Sequence, residues 1–467
     1  MWYLAAAAAA LLVSLPYWLP AAVVALRVRI FAWVNGQDAI AVPGPLVGID
    51  RFKAVYAHPA ADGRSRGAAL SDLFWYWLSP GAEIHQEHLE PGPRYAEVAA
   101  TTRRILHLSH AKAAGLAARC TAKVMDELDV RGPRLVRLRD ALMPVWAEFY
   151  YELVFGLPCP PQARRLIVDN AGDVATALKC CGLRHLDRRH RLTEFLVDRV
   201  RAGAVAHQLP RGLSTRQRAF YLQGTFFNTA IVQMSEATAH LLMVLAQHPG
   251  VRERLAADPS DDRYLDHVID ETLRLYPLFG IAHRITSADI AVDSLVTIPR
   301  GSVLCFNYPE FHRAGFDDPA RFDPDRWQRL SARDANHIPF GVPANRPCPA
   351  WHLAPVTMRA AAREVLARFD LCTSARHTRA LPNRGPCLLL PRAVRYRRRA
   401  ALLAWIRVRD RVEDVTRSIV QLVLGTYMVV DARRLRLCGR YFGPEPPQRA
   451  ERPEPREPPA TDAGSSP

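Results

Sequence analysis

The feature that most constrains the fold is a long stretch without proline, from Thr215 to His248, that is apolar nearly all round. At 1.5 Å per residue, about 34 residues form a helix of roughly 50 Å, which traverses a whole domain. Ser214 stands in front of the stretch as its predicted N-cap. A helix that is apolar on all sides must be buried. We therefore expect a large domain built around one central helix.

Composition fits a large core and argues against a nucleic-acid partner. The chain has 467 residues, of which 49% are hydrophobic and 23% charged. The formal net charge is +16, but no DNA- or RNA-binding motif accompanies the basic residues, so no nucleic-acid partner is expected. A basic surface favours an acidic protein partner or anionic lipid. The nine cysteines show neither a CxxC pair nor zinc-ligand spacing, which favours a reducing compartment.

The N-terminal segment, residues 1–34, predicts a membrane anchor. It carries no charge up to Leu26, and about 20 apolar residues suffice to cross a bilayer. Arg27 and Arg29 follow, so a single-pass helix would leave the main domain in the cytoplasm. A cleaved signal peptide is disfavoured because no basic region precedes the apolar run. Pro16 and Pro20 leave a re-entrant or interfacial anchor open.

The rest of the chain is predicted to be mainly α with a smaller β part. Apolar residues recur with helical spacing through most of residues 66–249, whereas residues 281–304 alternate as strands do. We divide the chain into an anchor (residues 1–34), a proline hinge (35–50) and a main folded domain (51–399). An amphipathic helical extension (400–440) and a disordered tail (441–467) follow.

Two local patterns carry chemistry. Glu271 and Arg274 share one face of a helix that is predicted to follow a Ser260 cap, either as a surface ion pair or, given their apolar neighbours, as a buried one. Cys348 lies in a loop rich in proline and glycine, with Arg346 two residues before it. A lone cysteine is most often a buried structural residue, but a single thiolate is also an axial ligand of haem iron.

Four landmarks occur in one order: the long helix, ETLRLYP from Glu271, FDPDRW ending at Trp327, and the cysteine loop with a helix behind it. Together they resemble the cytochrome P450 family of haem-thiolate enzymes over residues 40–397. The resemblance implies the fold of that family, with a long central helix over a haem, and makes residues 51–399 a haem-thiolate catalytic domain.

The resemblance also implies roles for individual residues. It assigns a buried charge network to Glu271, Arg274 and Arg326. It further implies that Cys348 is the iron ligand and that Phe340 is the aromatic neighbour of the sulfur. Contacts to the haem propionates fall on Arg346, on Arg284 or its neighbour His283, and on Arg104 or its neighbour Arg103.

Two departures from the family pattern bear on the reaction. The family's acid-alcohol pair, which delivers protons during oxygen activation, falls on Val232 and Gln233, and neither supplies a proton readily. The cysteine loop is one residue longer than usual, with Pro343 and Ala350 where glycines are expected. Nearby polar residues either form a substitute relay or satisfy backbone groups of the helix. These are Asn228, Thr229, Ser235 and Glu236.

The resemblance implies a monooxygenase of secondary or lipid metabolism that inserts an oxygen atom from O₂ into a small hydrophobic substrate. No flavin- or nicotinamide-binding glycine fingerprint is present, so electrons from NAD(P)H must arrive through a ferredoxin or reductase. The missing acid-alcohol pair keeps an isomerase, dehydratase or peroxide-using enzyme open. No arginine lies between Phe220 and Pro249, which disfavours the fatty-acid peroxygenase type. A non-catalytic haem-binding scaffold is a third hypothesis.

Overall fold

The structure, a computed structural model, describes residues 1–36, 39–65, 68–392 and 399–442. Within these residues the protein is mainly helical with three small sheets, which confirms the predicted fold class. Nearly all of the predicted disordered tail, residues 441–467, lies outside the described residues.

The elements follow one another in three groups. The first group is α1 (Trp2–Asn35), β1 (Ala39–Val42), α2 (Phe52–Ala57), α3 (Ala69–Leu78), α4 (Pro93–Ile105), α5 (His110–Glu127), β2 (Arg134–Arg137) and α6 (Leu138–Phe155). The second group is α7 (Pro161–Leu178), α8 (Leu186–Arg201), α9 (Thr215–Leu222), α10 (Ile231–Gln247), α11 (Pro249–Ala257) and α12 (Asp262–Leu275). The third group is β3 (Ile281–Ile285), β4 (Ile290–Ala291), β5 (Thr297–Ile298), β6 (Val303–Asn307), α13 (Tyr308–Phe311), α14 (Ala354–Arg368), β7 (Phe369–Cys372), β8 (Pro386–Pro391), α15 (Arg399–Leu435) and α16 (Leu437–Tyr441).

The predicted central helix is confirmed, with a feature that the sequence pattern did not indicate. Its start is fixed by a capping box: Ser214 Oγ accepts from the Gln217 N–H, and the Gln217 side chain accepts from the Ser214 N–H. Between α9 and α10 the backbone is π-helical from Gln223 to Ala230. Such π segments are rare and concentrate at functional sites. Helix α10 is buried along almost its whole length and packs on α6 and α14.

The predicted proline hinge, residues 35–50, is wrong over much of its length. Strand β1 pairs in parallel with β6, from Ala39 opposite Val303 to Val42 opposite Phe306. Val42 and Val47 are fully buried. The main domain therefore begins at β1, because this stretch contributes a strand and core residues to it. The predicted Ser260 cap is also wrong: Asp261 caps α12 by accepting from the Tyr264 N–H.

Helix α15, which covers the predicted C-terminal extension, packs between α1 and the main domain. Met428 and Ala432 join the core beside α3 and α7, and Ile406 packs on β7 and β8. On the other side of α15, the Arg411 guanidinium lies 5.0 Å from the ring centroid of Tyr17 in α1. Farther along, Arg27 contacts α15 at Gly425. From the first contact to the second, the residue numbers increase along both helices, so α1 and α15 are parallel.

Candidate functional site

A buried carboxylate organises the region between α12 and the cysteine loop. Glu271 Oε1 accepts from Arg274 Nη2 at 2.8 Å and from Arg326 Nε at 3.0 Å. Glu271 Oε2 accepts from Arg274 Nε at 2.8 Å and from Trp327 Nε1 at 3.1 Å. The Asp323 backbone N–H adds a further bond to Oε1 at 3.0 Å. Buried charges are tolerated when they are paired and hydrogen-bonded in this way. The sequence placed the first three residues together and missed the Trp327 donor.

This network reaches the start of the cysteine loop through aromatic contacts. The Trp327 ring lies 4.8 Å from the ring of His337, which in turn lies 5.5 Å from that of His312. His312 Nε2 accepts from the Ile338 N–H at 3.0 Å. The His312 carbonyl accepts from Arg274 Nη1 at 3.4 Å. The Glu271 network thus supports the segment from which the loop departs.

Cys348 sits in the loop just before α14. Its backbone N–H donates to the Phe340 carbonyl at 2.9 Å, which closes the loop and places both residues side by side. Burial raises the pKa of the Cys348 thiol to about 11, partly offset by a hydrogen bond from the Ala350 backbone N–H. A bound metal ion deprotonates a coordinating thiol despite such a raised pKa. The buried sulfur therefore fits the role of a metal ligand.

Two arginines beside this loop have spare hydrogen-bond donors. Arg346, whose backbone is left-handed with φ 49°, donates from Nη1 to the Leu89 carbonyl at 2.8 Å. Arg284 donates from Nη2 to the Tyr56 hydroxyl at 2.8 Å. Arg284 Nε and Arg346 Nη2 are buried and have no hydrogen-bond partner among the described residues. Buried donors without partners are unusual in proteins, so each indicates a missing acceptor.

A buried histidine near His85 and His283 also has unmet polar atoms. His88 is fully buried, and neither of its ring nitrogens has a hydrogen-bond partner within the described chain. It lies one residue before Leu89, whose carbonyl accepts a hydrogen bond from Arg346. The two guanidinium groups of Arg284 and Arg346, each with an unmet donor, match a ligand that carries two carboxylates, as haem does. These residues and the Cys348 sulfur therefore fit haem.

The structure does not bring every predicted propionate contact to this place. Successive residues of a strand point to opposite faces, so His283 in β3 faces away from Arg284. His283 Nε2 bonds with Ser71 Oγ at 2.9 Å and with the Arg64 carbonyl. Arg104 is exposed on α4, and its guanidinium donates to the Gln208 carbonyl at 2.9 Å. Arg103 beside it is exposed as well.

The predicted proton-delivery positions lie on the central helix, where the structure adds a new partner. Val232 is packed in the core, and Gln233 is half-buried. Thr229 lies in the π segment, and its Oγ1 is 2.5 Å from His85 Nε2. His85 comes from the segment between α3 and α4, 144 positions away in sequence. A Cβ on Gly224 would lie 3.0 Å from the His85 ring, so Gly224 makes room for it.

The hydrogen bonds of His85 define its tautomer. The Glu87 backbone N–H donates to His85 Nδ1 at 3.1 Å, so Nε2 carries the proton and donates to Thr229 Oγ1. Burial lowers the pKa of His85 to about 4, which keeps the ring neutral at pH 7. Because the Thr229 oxygen accepts from His85, the hydroxyl proton remains available for another acceptor. Sequence reasoning missed His85, since no local motif surrounds it.

A cysteine loop before a helix, a buried Glu-Arg-Arg network and a long central helix are the combination of features that resembles haem-thiolate proteins. The family model described as "Cytochrome P450" matches residues 215–396. A putative cytochrome P450 135B1 of Mycobacterium tuberculosis is 33% identical over 140 residues, and the cytochrome P450 3A12 of Canis lupus familiaris is 31% identical over 156 residues. These matches support the cytochrome P450 family.

The fold extends the likeness beyond these segments. The solved structure of ligand-free cytochrome P450 OleT superposes with a TM-score of 0.60 at 15% identity, over 74% of this chain and 87% of that one. The retinoic acid-bound cyanobacterial CYP120A1 gives 0.58 at 16% identity, over 72% and 86%. By sequence, the two curated relatives align over 28% and 29% of this chain and over only 29% and 31% of their own lengths.

Proposed function

We propose that this protein is a haem-thiolate monooxygenase that inserts an oxygen atom from O₂ into a hydrophobic substrate. The observation that carries the proposal is that Arg284 and Arg346, which lie near each other beside the loop of the buried Cys348 thiol, each keep a buried donor without a partner among the described residues. When bound, a haem with a thiolate ligand supplies the oxygen chemistry, because the sulfur pushes electron density that favours O–O cleavage. In this proposal Cys348 holds the iron and the two arginines hold the propionates.

The chain's own residues divide the remaining work. His85 holds Thr229 so that its hydroxyl proton points away from the imidazole and toward an incoming acceptor. This pair stands in for the acid-alcohol pair that Val232 and Gln233 do not supply. His85 is buried and Thr229 is half-buried, and a hydrogen bond made away from bulk water is stronger than one made in it. Proton delivery by a positioned side chain typically contributes about 10²–10⁴-fold to rate.

Thr229→Val should uncouple turnover from electron consumption. Removing the hydroxyl is expected to lower product formation per electron pair by about 10²-fold or more, within the range of acid-base catalysis. His85→Gln, which keeps a donor near Thr229, should retain more coupling than His85→Phe. The measurement is product formed per NAD(P)H consumed. The matched control is Thr238→Val, whose Oγ1 donates to the Met234 carbonyl of the same helix. Equal coupling in both threonine variants would contradict the relay.

Electrons in this proposal come from NAD(P)H through a separate ferredoxin or reductase. Around Cys348 the surface is apolar: Trp351 is 60% exposed, and Pro343, Ala344 and Pro347 are exposed beside it. An exposed tryptophan three residues from the iron ligand suits a docking partner, since Trp is enriched at binding hot spots. The basic chain favours an acidic protein there.

A second candidate function is an isomerase, dehydratase or peroxide-using enzyme that needs no reductant. It is favoured by one observation: Val232 is buried in the core and Gln233 is an amide, so the usual proton donors are absent from these positions. Product formed without any reductant, or only with a hydroperoxide, would establish this alternative. Product that requires NAD(P)H and a redox partner supports the monooxygenase. Tight haem binding without turnover on a broad substrate panel would favour a scaffold.

The membrane part of the proposal rests on α1, which is long and apolar enough to cross a bilayer and is almost entirely exposed. Helix α15 limits how α1 can enter lipid. It carries Arg407, Arg409 and Arg411 in the stretch that meets Tyr17. Each such charge costs about 2.5–3.5 kcal/mol at the centre of a bilayer. While α1 is paired with α15, it therefore lies along the membrane interface, as a modified form of the predicted single-pass anchor.

A tag at the N-terminus distinguishes the two arrangements. If α1 lies in the interface, the protein should sediment with membranes at high salt, and protease added from the cytoplasmic side should remove the tag. A single-pass helix would protect the tag on the opposite side. The control is the same tag at the C-terminus, which is accessible in both arrangements.

A further inference from the structure

Farther along α10, three charged side chains from distant parts of the sequence meet. Lys179 follows α7, Glu236 lies on α10, and Arg379 lies in the loop between β7 and β8. Lys179 Nζ donates to Glu236 Oε1 at 2.6 Å. The Arg379 guanidinium packs against the backbone of Gly280, where a Cβ would lie only 2.6 Å from it. A side chain at position 280 would therefore displace Arg379.

This group holds more positive than negative charge. The Glu236 carboxylate attracts both cations, but burial outweighs this attraction and lowers the pKa of Lys179 and of Arg379 below their usual values. The Lys179 and Glu236 side chains are 18% and 7% exposed. Glu236 is already bound by Lys179, and the Arg379 side chain makes no hydrogen bond to any other described residue. A half-buried guanidinium next to a neutralised carboxylate favours a second anion.

Polar atoms around the group also lack partners. His240 Nδ1 is 2.7 Å from His377 Nε2, yet the opposite nitrogens, His240 Nε2 and His377 Nδ1, have no partner among the described residues, and neither has Thr378 Oγ1. Arg139 is 2% exposed, and its Nη1 has no hydrogen-bond partner among the described residues. Its Nε lies 3.7 Å from the Asp140 carboxylate. Arg139 contributes to lowering the pKa of Lys179.

We infer that Arg379 and Lys179 form a binding site for a carboxylate of the substrate, and that the substrate is an amphipathic carboxylic acid. The carboxylate would take two donors from the Arg379 fork, a geometry that guanidinium groups provide and that discriminates against neutral oxygen groups. Glu236 holds Lys179 in place and limits the excess charge before the acid binds. The inference rests on the proposed function, since it assigns a substrate class to the proposed monooxygenase.

The position along α10 relates this anion site to the reacting end. Thr229 and Glu236 are seven residues apart, which corresponds to roughly 10 Å of helix rise. A carboxylate held by Arg379 would therefore keep its own end of the substrate about two helical turns from Thr229. The apolar chain of the acid would extend along the helix toward Thr229. Oxygen insertion would consequently fall on the chain and away from the carboxyl carbon.

Binding of matched ligands tests the site without requiring turnover. Decanoate, decanol and methyl decanoate are titrated against the haem-loaded full chain by calorimetry and by the shift of the Soret band. Decanoate should bind at least about tenfold more tightly than decanol, as a charge-assisted bidentate contact predicts. Arg379→Gln should remove that preference. Glu236→Gln, which removes the competing carboxylate, should instead tighten decanoate. Arg384→Ala removes an exposed cation from the same loop and should change neither affinity.

Equal affinity for decanoate and decanol in the wild-type protein would overturn the inference, as would an acid preference that survives Arg379→Gln. Lys179→Met is the second variant if Arg379→Gln does not fold, and it should also lower the preference. The proposed function is contradicted by different results. A thiolate spectrum without a preference for the acid would contradict the carboxylate site but not the monooxygenase. A preference for the acid without any product would contradict the monooxygenase but not the carboxylate site.

Discussion

Glu271→Gln is expected to lower the free energy of unfolding by about 3–5 kcal/mol and to release most of the haem. The neutral amide keeps the shape of the side chain but leaves Arg274 and Arg326 buried without their counter-charge. The loss should reach the cysteine loop, because Trp327 and His312 connect the network to His337. Denaturant unfolding and the haem-to-protein absorbance ratio are the two measurements.

Two comparison variants make this result specific. Glu253→Gln changes an exposed glutamate and should stay within about 0.5 kcal/mol of the wild-type protein. Trp327→Phe removes only one donor to Glu271 and should cost about 1.5–3 kcal/mol. If Glu271→Gln were no more destabilising than Glu253→Gln, the network would not support the site.

Cys348→Ala is expected to reduce product formation to background while the polypeptide remains folded. The half-buried side chain carries the sulfur that we assign to the iron, and no other described cysteine lies in that loop. Haem content should fall, since Arg284 and Arg346 alone would hold it by its propionates. Product formation and haem content are measured on the same preparations.

Cys120→Ala is the matched control for this variant. It removes a buried sulfur from α5, outside the cysteine loop, and should keep both haem and turnover. Turnover that persists in Cys348→Ala would contradict the assignment of the ligand. Turnover lost equally in Cys120→Ala would show that the effect is one of stability.

The central helix and the Glu271 network could be predicted because their signals are local. Apolar residues without proline mark the helix, and the spacing of Glu271 and Arg274 places both on one face. Arg326 required the resemblance, because it reaches Glu271 from 55 positions away. The π segment from Gln223 to Ala230 left no sequence signal that we recognised.

Contacts between distant segments account for most of what was missed. β1 pairs with β6 across more than 260 residues, so its strand looked like a hinge rich in proline. His85 meets Thr229 only after the segment before α4 has folded over the π helix. Arg104 was predicted as a propionate contact from its position in the family pattern, but on α4 its side chain is exposed to solvent. In each case tertiary packing overrides a local pattern.

The absorbance spectrum of the reduced full chain with carbon monoxide tests directly whether Cys348 is the iron ligand. We expect the red-shifted Soret band of a thiolate-ligated haem in the wild-type protein and in Cys120→Ala. We expect this band to be absent from Cys348→Ala. An unshifted band in the wild-type protein, or a red-shifted band that survives Cys348→Ala, would contradict the assignment of Cys348 as the iron ligand.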